Sequence, residues 1–351
     1  MGLSPKLWSG KRVLVTGHTG FKGSWLTLLL KDLGAEVVGL SLPPEGTQSL
    51  YIDARIQEEM HSEFFLDIRD LSSIEKVVQA SGFDYVFHLA AQAFVRRSIK
   101  DPLESITTNI LGTANVLMAS LKSEGVLGAT IVTTDKVYEN LGAGVPFKES
   151  SKLGGIDPYS ASKAAAELIV ASISSSSNPH KIPVTTVRAG NVIGGGDWGE
   201  DRLVPDIIRT LNSRIPLSIR NPNATRPWQY ILDCLYGYLL VAESHLKDKS
   251  TTPNSINFGP NESLSVIQLL NFFEKSFGRK IAYEHTESAI PESEYLALDS
   301  SLAHAHLGWL ATHSPIQAVS KTAEWYLKFE QGSDAKDLVR QEISIYKVGK
   351  W

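Results

Sequence analysis

Tyr159-Ser-Ala-Ser-Lys163 sets a phenol and an ammonium four residues apart, on one face of any helix that carries them. A free tyrosine has a pKa near ~10, so a phenolate at neutral pH costs about 4 kcal/mol. A neighbouring cation favours the anion, which makes Tyr159 a workable general base supported by Lys163. A second cluster, Thr133-Thr134-Asp135-Lys136, lies at the end of an apolar run. A hydroxyl there can hold an alcohol oxygen, and Asp135 can serve as a general acid if it keeps its proton. Lys136 is either a base or a solvated strand-end charge. A lysine base must be neutral, and its reference pKa near ~10.4 then has to fall through burial or neighbouring cations.

A third constellation is Gly17-His-Thr-Gly20-Phe-Lys-Gly23, directly after the β-rich run Arg12–Thr16 and before a helical segment, Ser24–Leu33, closed by Gly34. Glycines there tighten the turn, let backbone approach a pyrophosphate and let helix pack on strand. The helix N-terminus then offers free N–H groups to the anion. This is a dinucleotide site, and an oxidised nicotinamide would add its own positive charge near Tyr159. The second strand ends Gly39-Leu40-Ser41, without the acidic residue that usually binds the adenosine ribose and without a base for a 2′-phosphate, so NAD and NADP are not distinguished there. Asp67 can accept from an adenine amino group or cap a turn. Ala90 and Ala91 leave room for the middle of the cofactor.

The elements that must position these groups alternate. Strands are expected at Arg12–Thr16, Glu36–Leu40, Phe64–Leu66, Tyr85–Leu89, Ala129–Thr133, Val184–Arg188 and Ser255–Phe258. Helices are expected at Asp70–Ala80 (N-cap Asp70), Ser105–Ser123 and Tyr159–Ser172, the last followed by a serine-rich loop at Ser174–Asn178. Repeated βα units predict an α/β fold: a Rossmann-type doubly wound parallel sheet with a smaller, mostly helical C-terminal substrate domain. The division is 1–190 plus about 228–262 for the cofactor domain, and about 191–227 and 263–351 for the substrate domain.

The chain has 351 residues, 42% hydrophobic and 21% charged, with a formal charge of −4, which excludes disorder and gives no reason to expect a nucleic-acid partner. A single cysteine, Cys234, excludes an internal disulfide and reads as a buried small hydrophobe. No run reaches the ~20 apolar residues of a membrane span, and no signal peptide is evident. A soluble cytoplasmic protein is expected. His304-x-His306 lies on an expected helix with no completing ligands, so no metal is expected. Trp228, Tyr230 and Tyr236 read as core or domain-junction packing.

Val15-Thr-Gly-His-Thr-Gly-Phe-Lys-Gly23, His88-Leu-Ala-Ala-Gln92, Val95-Arg-Arg97, Arg188-Ala-Gly-Asn-Val-Ile-Gly-Gly-Gly-Asp-Trp198, Asp201-Arg-Leu-Val-Pro205 and Arg226-Pro-Trp-Gln229 resemble the extended short-chain dehydrogenase/reductases, in the branch acting on nucleotide-sugars. The likeness runs over nearly the whole chain. It implies NAD as cofactor, bound by Gly17, Gly20, Phe21, Gly23, Asp67, Ile68, Ala90, Ala91, Tyr159 and Lys163. It implies 4,6-dehydration of a sugar, with CDP-glucose the expected substrate. Tyr159 takes the 4-hydroxyl proton, Thr134 holds that oxygen, and Lys163 sustains the phenolate and binds the nicotinamide ribose. Oxidation at C4 acidifies C5–H; water then leaves across C5–C6 and the hydride returns to C6.

Related dehydratases carry Thr-Asp-Glu at the strand end. Lys136 departs from that pattern, and the expectation is that it deprotonates C5 while Asp135 protonates the C6 oxygen. Gln92, Arg97, Asn191, Arg202 and Arg226 are the expected substrate contacts, although Arg97 and Arg202 can equally be structural ion-pair partners. The resemblance also implies a homodimer or homotetramer through a bundle of the Ser105–Ser123 and Tyr159–Ser172 helices. The rival readings are a 4,6-dehydratase of another nucleotide-sugar, a nucleotide-sugar 4-epimerase, which needs only Tyr159 and Lys163, and a non-catalytic NAD-binding sensor.

Overall fold

Val13 and Val15 of the first strand face one layer of helices and Leu14 faces the other, so both faces of the sheet are covered. Strands buried on both sides read as continuous apolar runs, as β1 (Arg12–Thr16) does. The computed structural model describes residues 2–142, 144–213, 215–247, 252–286 and 295–348. Its main sheet has seven strands: β1, β2 (Glu36–Ser41), β3 (Ser62–Phe65), β4 (Tyr85–His88), β5 (Ala129–Val132), β6 (Val184–Ala189) and β7 (Ser255–Phe258). Their spatial order is β7-β6-β5-β4-β1-β2-β3, and every neighbouring pair is parallel. The order reverses between β1 and β4, and ligands of open α/β sheets bind at such a switch point.

Helix α1 (Phe21–Asp32) covers one face, while α2 (Leu71–Ser81), α3 (Thr113–Lys122) and α4 (Pro158–Ser176) cover the other. Asp70 caps α2, its carboxylate accepting from Ser73 N–H. Helix α1 starts three residues earlier than Ser24, straight out of the glycine turn, because Gly20 is its N-cap. Helix α4 runs through Ser174–Ser176, so most of the expected serine-rich loop is its last turn. Serine hydroxyls there bond back to Ser172 O, which lets them stay helical.

The expected helix over 105–123 begins at Pro102 and contains a π turn, Thr107–Gly112, that turns Asn109 inward. Asn109 accepts from Gln92 N–H (2.9 Å) and donates to Gln92 O (3.0 Å) and Ser162 Oγ (2.9 Å), tying the loop after β4 to α4.

Beyond β6 the chain builds a smaller layer held by three short strand pairs. Val192–Ile193 pairs with Gln229–Tyr230, Thr225–Arg226 with Leu264–Ser265, and Leu217–Ile219 with Tyr283–His285. The helices beyond β6 are α5 (Leu203–Leu211), α6 (Ile231–Lys247), α7 (Val266–Phe277), α8 (Ser301–Leu307), α9 (Pro315–Glu330) and α10 (Ala335–Val348). Helix α6 packs under the sheet. Helix α10 also returns to the cofactor half, where Lys336 and Arg340 pair with Glu59 and Arg55 pairs with Asp334. One continuous core therefore joins both layers. Cys234, Trp228, Tyr230 and Tyr236 are buried in it.

Candidate active site

Asp157-Pro158 opens α4: the Asp157 carboxylate accepts from Ser160 N–H (2.9 Å) and Ser160 Oγ (2.6 Å), and proline occupies the first turn, where no N–H is needed. This start sets Tyr159 in the first turn, with its own N–H bonded to Ser98 Oγ (3.1 Å). One turn on, Lys163 Nζ donates to Val132 O (3.0 Å), the last carbonyl of β5. The chain leaving β5 forms a short 3-10 turn, Asp135–Val137, packed against α4. Its N-cap is Thr134, whose hydroxyl accepts from Lys136 N–H (3.3 Å) and donates to Asp135 Oδ1 (3.0 Å). Asp135 is 2% exposed, and its Oδ2 has no hydrogen-bond partner.

Thr134, Asp135, Tyr159 and Lys163 thus meet at the carboxyl end of β5. Burial pushes the Tyr159 phenol up to about 12, opposed by the Thr134 hydroxyl and by the Arg202 charge. Burial pushes Lys163 down to about 8, helped by the charge of Lys22 and opposed by that of Glu167. The Arg202 charge acts on Tyr159, and the Lys163 ammonium is turned to the Val132 carbonyl. Lys136 departs from the burial expected of a lysine base. The 3-10 turn points Asp135 and Val137 inward and leaves Lys136 exposed.

The glycine turn has the shape a dinucleotide needs. Gly17 has φ +75°, and a Cβ there would come within 2.7 Å of Ala90 N. A Cβ on Gly23 would overlap the Gly17 carbonyl, so α1 lies directly on the turn. Gly20 brings no side chain to the first N–H groups of α1, and the first turn holds no acidic residue. That donor set, beside Phe21 and with Ala90 against Gly17, fits a pyrophosphate. At the end of β2, Ser41 Oγ bonds Thr19 Oγ1 (2.7 Å). The His18 ring lies against Gly39, and its Nε2 meets Glu63 Oε2 (3.1 Å). Asp67 is held by Arg69 through Nε and Nη2, as a turn carboxylate, and Ile68 is buried against Gly112.

The remaining candidates are spread around this centre. Arg202 is half-buried, paired with Asp197 (3.0 Å) and stacked 5.2 Å over the Phe94 ring. Asn191 sits just after β6 in a left-handed conformation (φ +48°). Gln92 is engaged internally, donating to Phe94 O and Ser105 Oγ. Arg97 is fastened to Glu104 and Glu45. Arg226 lies in the ladder with Leu264 and donates to Thr225 O.

Sequence reasoning missed the group that stiffens the site. The buried Glu167 carboxylate receives Arg188 through two 2.9 Å bonds, Thr133 Oγ1 (2.5 Å) and Thr186 Oγ1 (2.6 Å). Its spacing of four residues from Lys163 on the same helix was the available signal.

A glycine turn at the switch point of a seven-stranded parallel sheet, with a Tyr and a Lys one turn apart at the end of β5, defines a nucleotide-cofactor enzyme of the short-chain dehydrogenase type. Residues 13–259 match the NAD dependent epimerase/dehydratase family, and the chain belongs to that family, with NAD as its cofactor. Over 98% of both chains it is 37% identical to the CDP-glucose 4,6-dehydratase of Salmonella typhimurium. It is 27% identical to the UDP-glucose 4-epimerase of Pasteurella multocida over 91% of this chain and 98% of that one. The crystal structure of DesIV, a dTDP-glucose 4,6-dehydratase from Streptomyces venezuelae with NAD and TYD bound, superposes with a TM-score of 0.80. It is 24% identical, over 91% of this chain and 98% of that one, a likeness that speaks for the fold.

Proposed function

We propose that the chain is a hydro-lyase that converts CDP-glucose to CDP-4-keto-6-deoxyglucose. The observation that carries this reading is the second acid/base pair, Asp135 and Lys136, directly after Thr134 in a turn packed on α4, with Asp135 near Tyr159. An epimerase, which only removes and returns hydride at C4, has no use for such a pair. The 37% identity with a CDP-glucose 4,6-dehydratase over the full length supports the nucleotide.

Bound NAD supplies the hydride acceptor and, when oxidised, a positive charge next to the phenol. Tyr159 Oη removes the proton of the sugar 4-hydroxyl, helped by the Arg202 charge and the Thr134 hydroxyl, which also holds that oxygen. Lys163, fixed on Val132 O, contributes positive charge and a contact to the nicotinamide ribose. The resulting 4-ketone acidifies C5–H. Lys136 Nζ takes that proton, with the bound sugar itself covering the exposed lysine, and the Asp135 carboxyl group delivers a proton to the departing C6 oxygen. The hydride removed from C4 is restored at C6 and a proton at C5, so water is the only other product.

The cofactor half is 1–190 plus about 228–262. The nucleotide-sugar half, about 191–227 and 263–351, is supported by two of the short strand pairs, Thr225–Arg226 with Leu264–Ser265 and Leu217–Ile219 with Tyr283–His285, which join its segments. Asn191, Arg202 and Arg226 are its phosphate and sugar ligands, the arginines presenting paired donors. Gln92 and Arg97 support the wall of that site. No helix among the described residues is long and apolar enough to cross a membrane, and we place the protein in the cytoplasm. Leu103, Ile106, Leu111 and Leu168 are exposed on the 102–122 and α4 helices, a patch suited to a homo-oligomeric bundle.

Proton NMR in deuterated water, with NAD and separately CDP-, dTDP-, UDP- and GDP-glucose, tests the reading. A C6 methyl signal with deuterium at C5, fastest from CDP-glucose, is expected. Conversion to a galactose configuration without C5 exchange would make the protein an epimerase. Binding of NAD with no turnover of any sugar would favour a sensor.

A further inference from the structure

Gly190 follows β6 and stands against the carboxylate of Asp135. A Cβ built on it would lie 2.6 Å from Asp135 Oδ1 and closer still to Cγ and Oδ2, and these are its three nearest neighbours. The backbone does not require glycine here, since Gly190 is not among the residues with positive φ. Nor can the glycine retreat. Ala189 on one side is registered against Phe258 of β7, and Asn191 on the other accepts from Gln229 N–H (3.2 Å). The space left by the missing side chain is filled by one group, and that group is 2% exposed with Oδ2 unpartnered. A buried polar atom without a partner is costly, and catalytic groups are one setting in which it is tolerated.

We infer that Gly190 is a positioning residue for the proton donor of the elimination: its bare Cα is what lets the Asp135 carboxylate seat here, with Oδ2 against Gly190 and Oδ1 fixed by Thr134. This rests on the dehydratase reading above. An added methyl group has a soft neighbour to displace, a short side chain with two torsions, so the fold survives and Asp135 rotates away from Thr134. The C4 oxidation, which uses Tyr159, Thr134 and Lys163, continues. Departure of the C6 oxygen, which needs the Asp135 proton, slows.

The test is a double-mutant cycle on the NAD-loaded protein with Gly190→Ala, Asp135→Ala and the pair. Gly190→Ala is expected to lower C6-methyl formation by about 100-fold, the scale of a misplaced general acid, while C5 exchange persists. On the Asp135→Ala background the same change should cost no more than about twofold, because the group it displaces is gone. Equal losses on both backgrounds, or a Gly190→Ala protein within about twofold of wild type, would overturn the inference. The cycle is repeated with urea midpoints without cofactor, a readout independent of turnover. Gly190→Ala should lower the midpoint, and do so less when Asp135 is alanine; an identical shift on both backgrounds counts against the contact. If the wild-type protein makes no methyl product from any sugar, the dehydratase reading fails, and the urea cycle still decides whether Gly190 makes room for Asp135.

Discussion

Lys163 Nζ donates to the main-chain carbonyl of Val132 at 3.0 Å. The bond fastens helix α4 to the strand whose continuation carries Thr133 through Lys136, so phenol, hydroxyl and carboxylate are held as one unit. It also fixes a cation in a buried place, with measurable consequences.

Burial brings Lys163 from its ordinary 10.5 down to about 8. The unfolded chain therefore binds more protons between about 8 and 10.5, and this group makes stability rise with pH through that window. Lys163→Met should remove a slope of up to about 1.4 kcal/mol per pH unit. Urea unfolding of both proteins across the window checks this; parallel curves would contradict it.

Tyr159→Phe removes the oxygen proposed to take the sugar proton and leaves the ring packed. A loss of about 10²- to 10⁴-fold in turnover is expected, with NAD affinity retained. Methyl formation by NMR and cofactor titration by fluorescence measure the two separately. A variant retaining a tenth of wild-type turnover would assign the proton to another group.

Glu167 holds Arg188, Thr133 and Thr186 in the interior, with the Arg188 and Glu167 side chains 4% and 3% exposed. Glu167→Ala leaves a buried guanidinium uncompensated and should cost about 3–5 kcal/mol in denaturant unfolding. Replacing both charges by apolar residues of similar volume should cost less. If the double variant is the less stable protein, the pair is more than mutual compensation.

His88, between Thr16 and Thr113, and His245, between Tyr85 and Thr185, are buried and pushed by desolvation from 6.5 to about 3. The unfolded chain binds more protons between these values, so stability falls as pH drops from 6.5 toward 3. His88→Asn should flatten the fall without abolishing it. Urea midpoints measured as the pH is lowered decide; an unchanged slope would mean that His88 does not titrate with unfolding.

The sheet was legible because its signals are local. Apolar runs of four to six residues, alternating with helices and opened by a glycine turn after the first, admit few arrangements besides a doubly wound sheet. The π turn at Thr107–Gly112 was not, since it answers to Gln92 and Ser162, remote in sequence. Glu167 escaped notice for the same reason: a glutamate on an amphipathic helix reads as surface until Arg188 arrives from β6.

Residue type and spacing alone determined the βαβ units, the glycine turn with its free N–H groups, and the pairing of Tyr159 with Lys163. All three are set by neighbours a few residues away. Only the tertiary structure decided that Lys136 is exposed while Asp135 is buried, that the Arg202 charge acts on Tyr159, and that Gly190 makes room for a carboxylate fifty-five positions earlier. Desolvation, charge proximity and steric room depend on which distant segments pack around a group, and the order of residues along the chain does not carry that information.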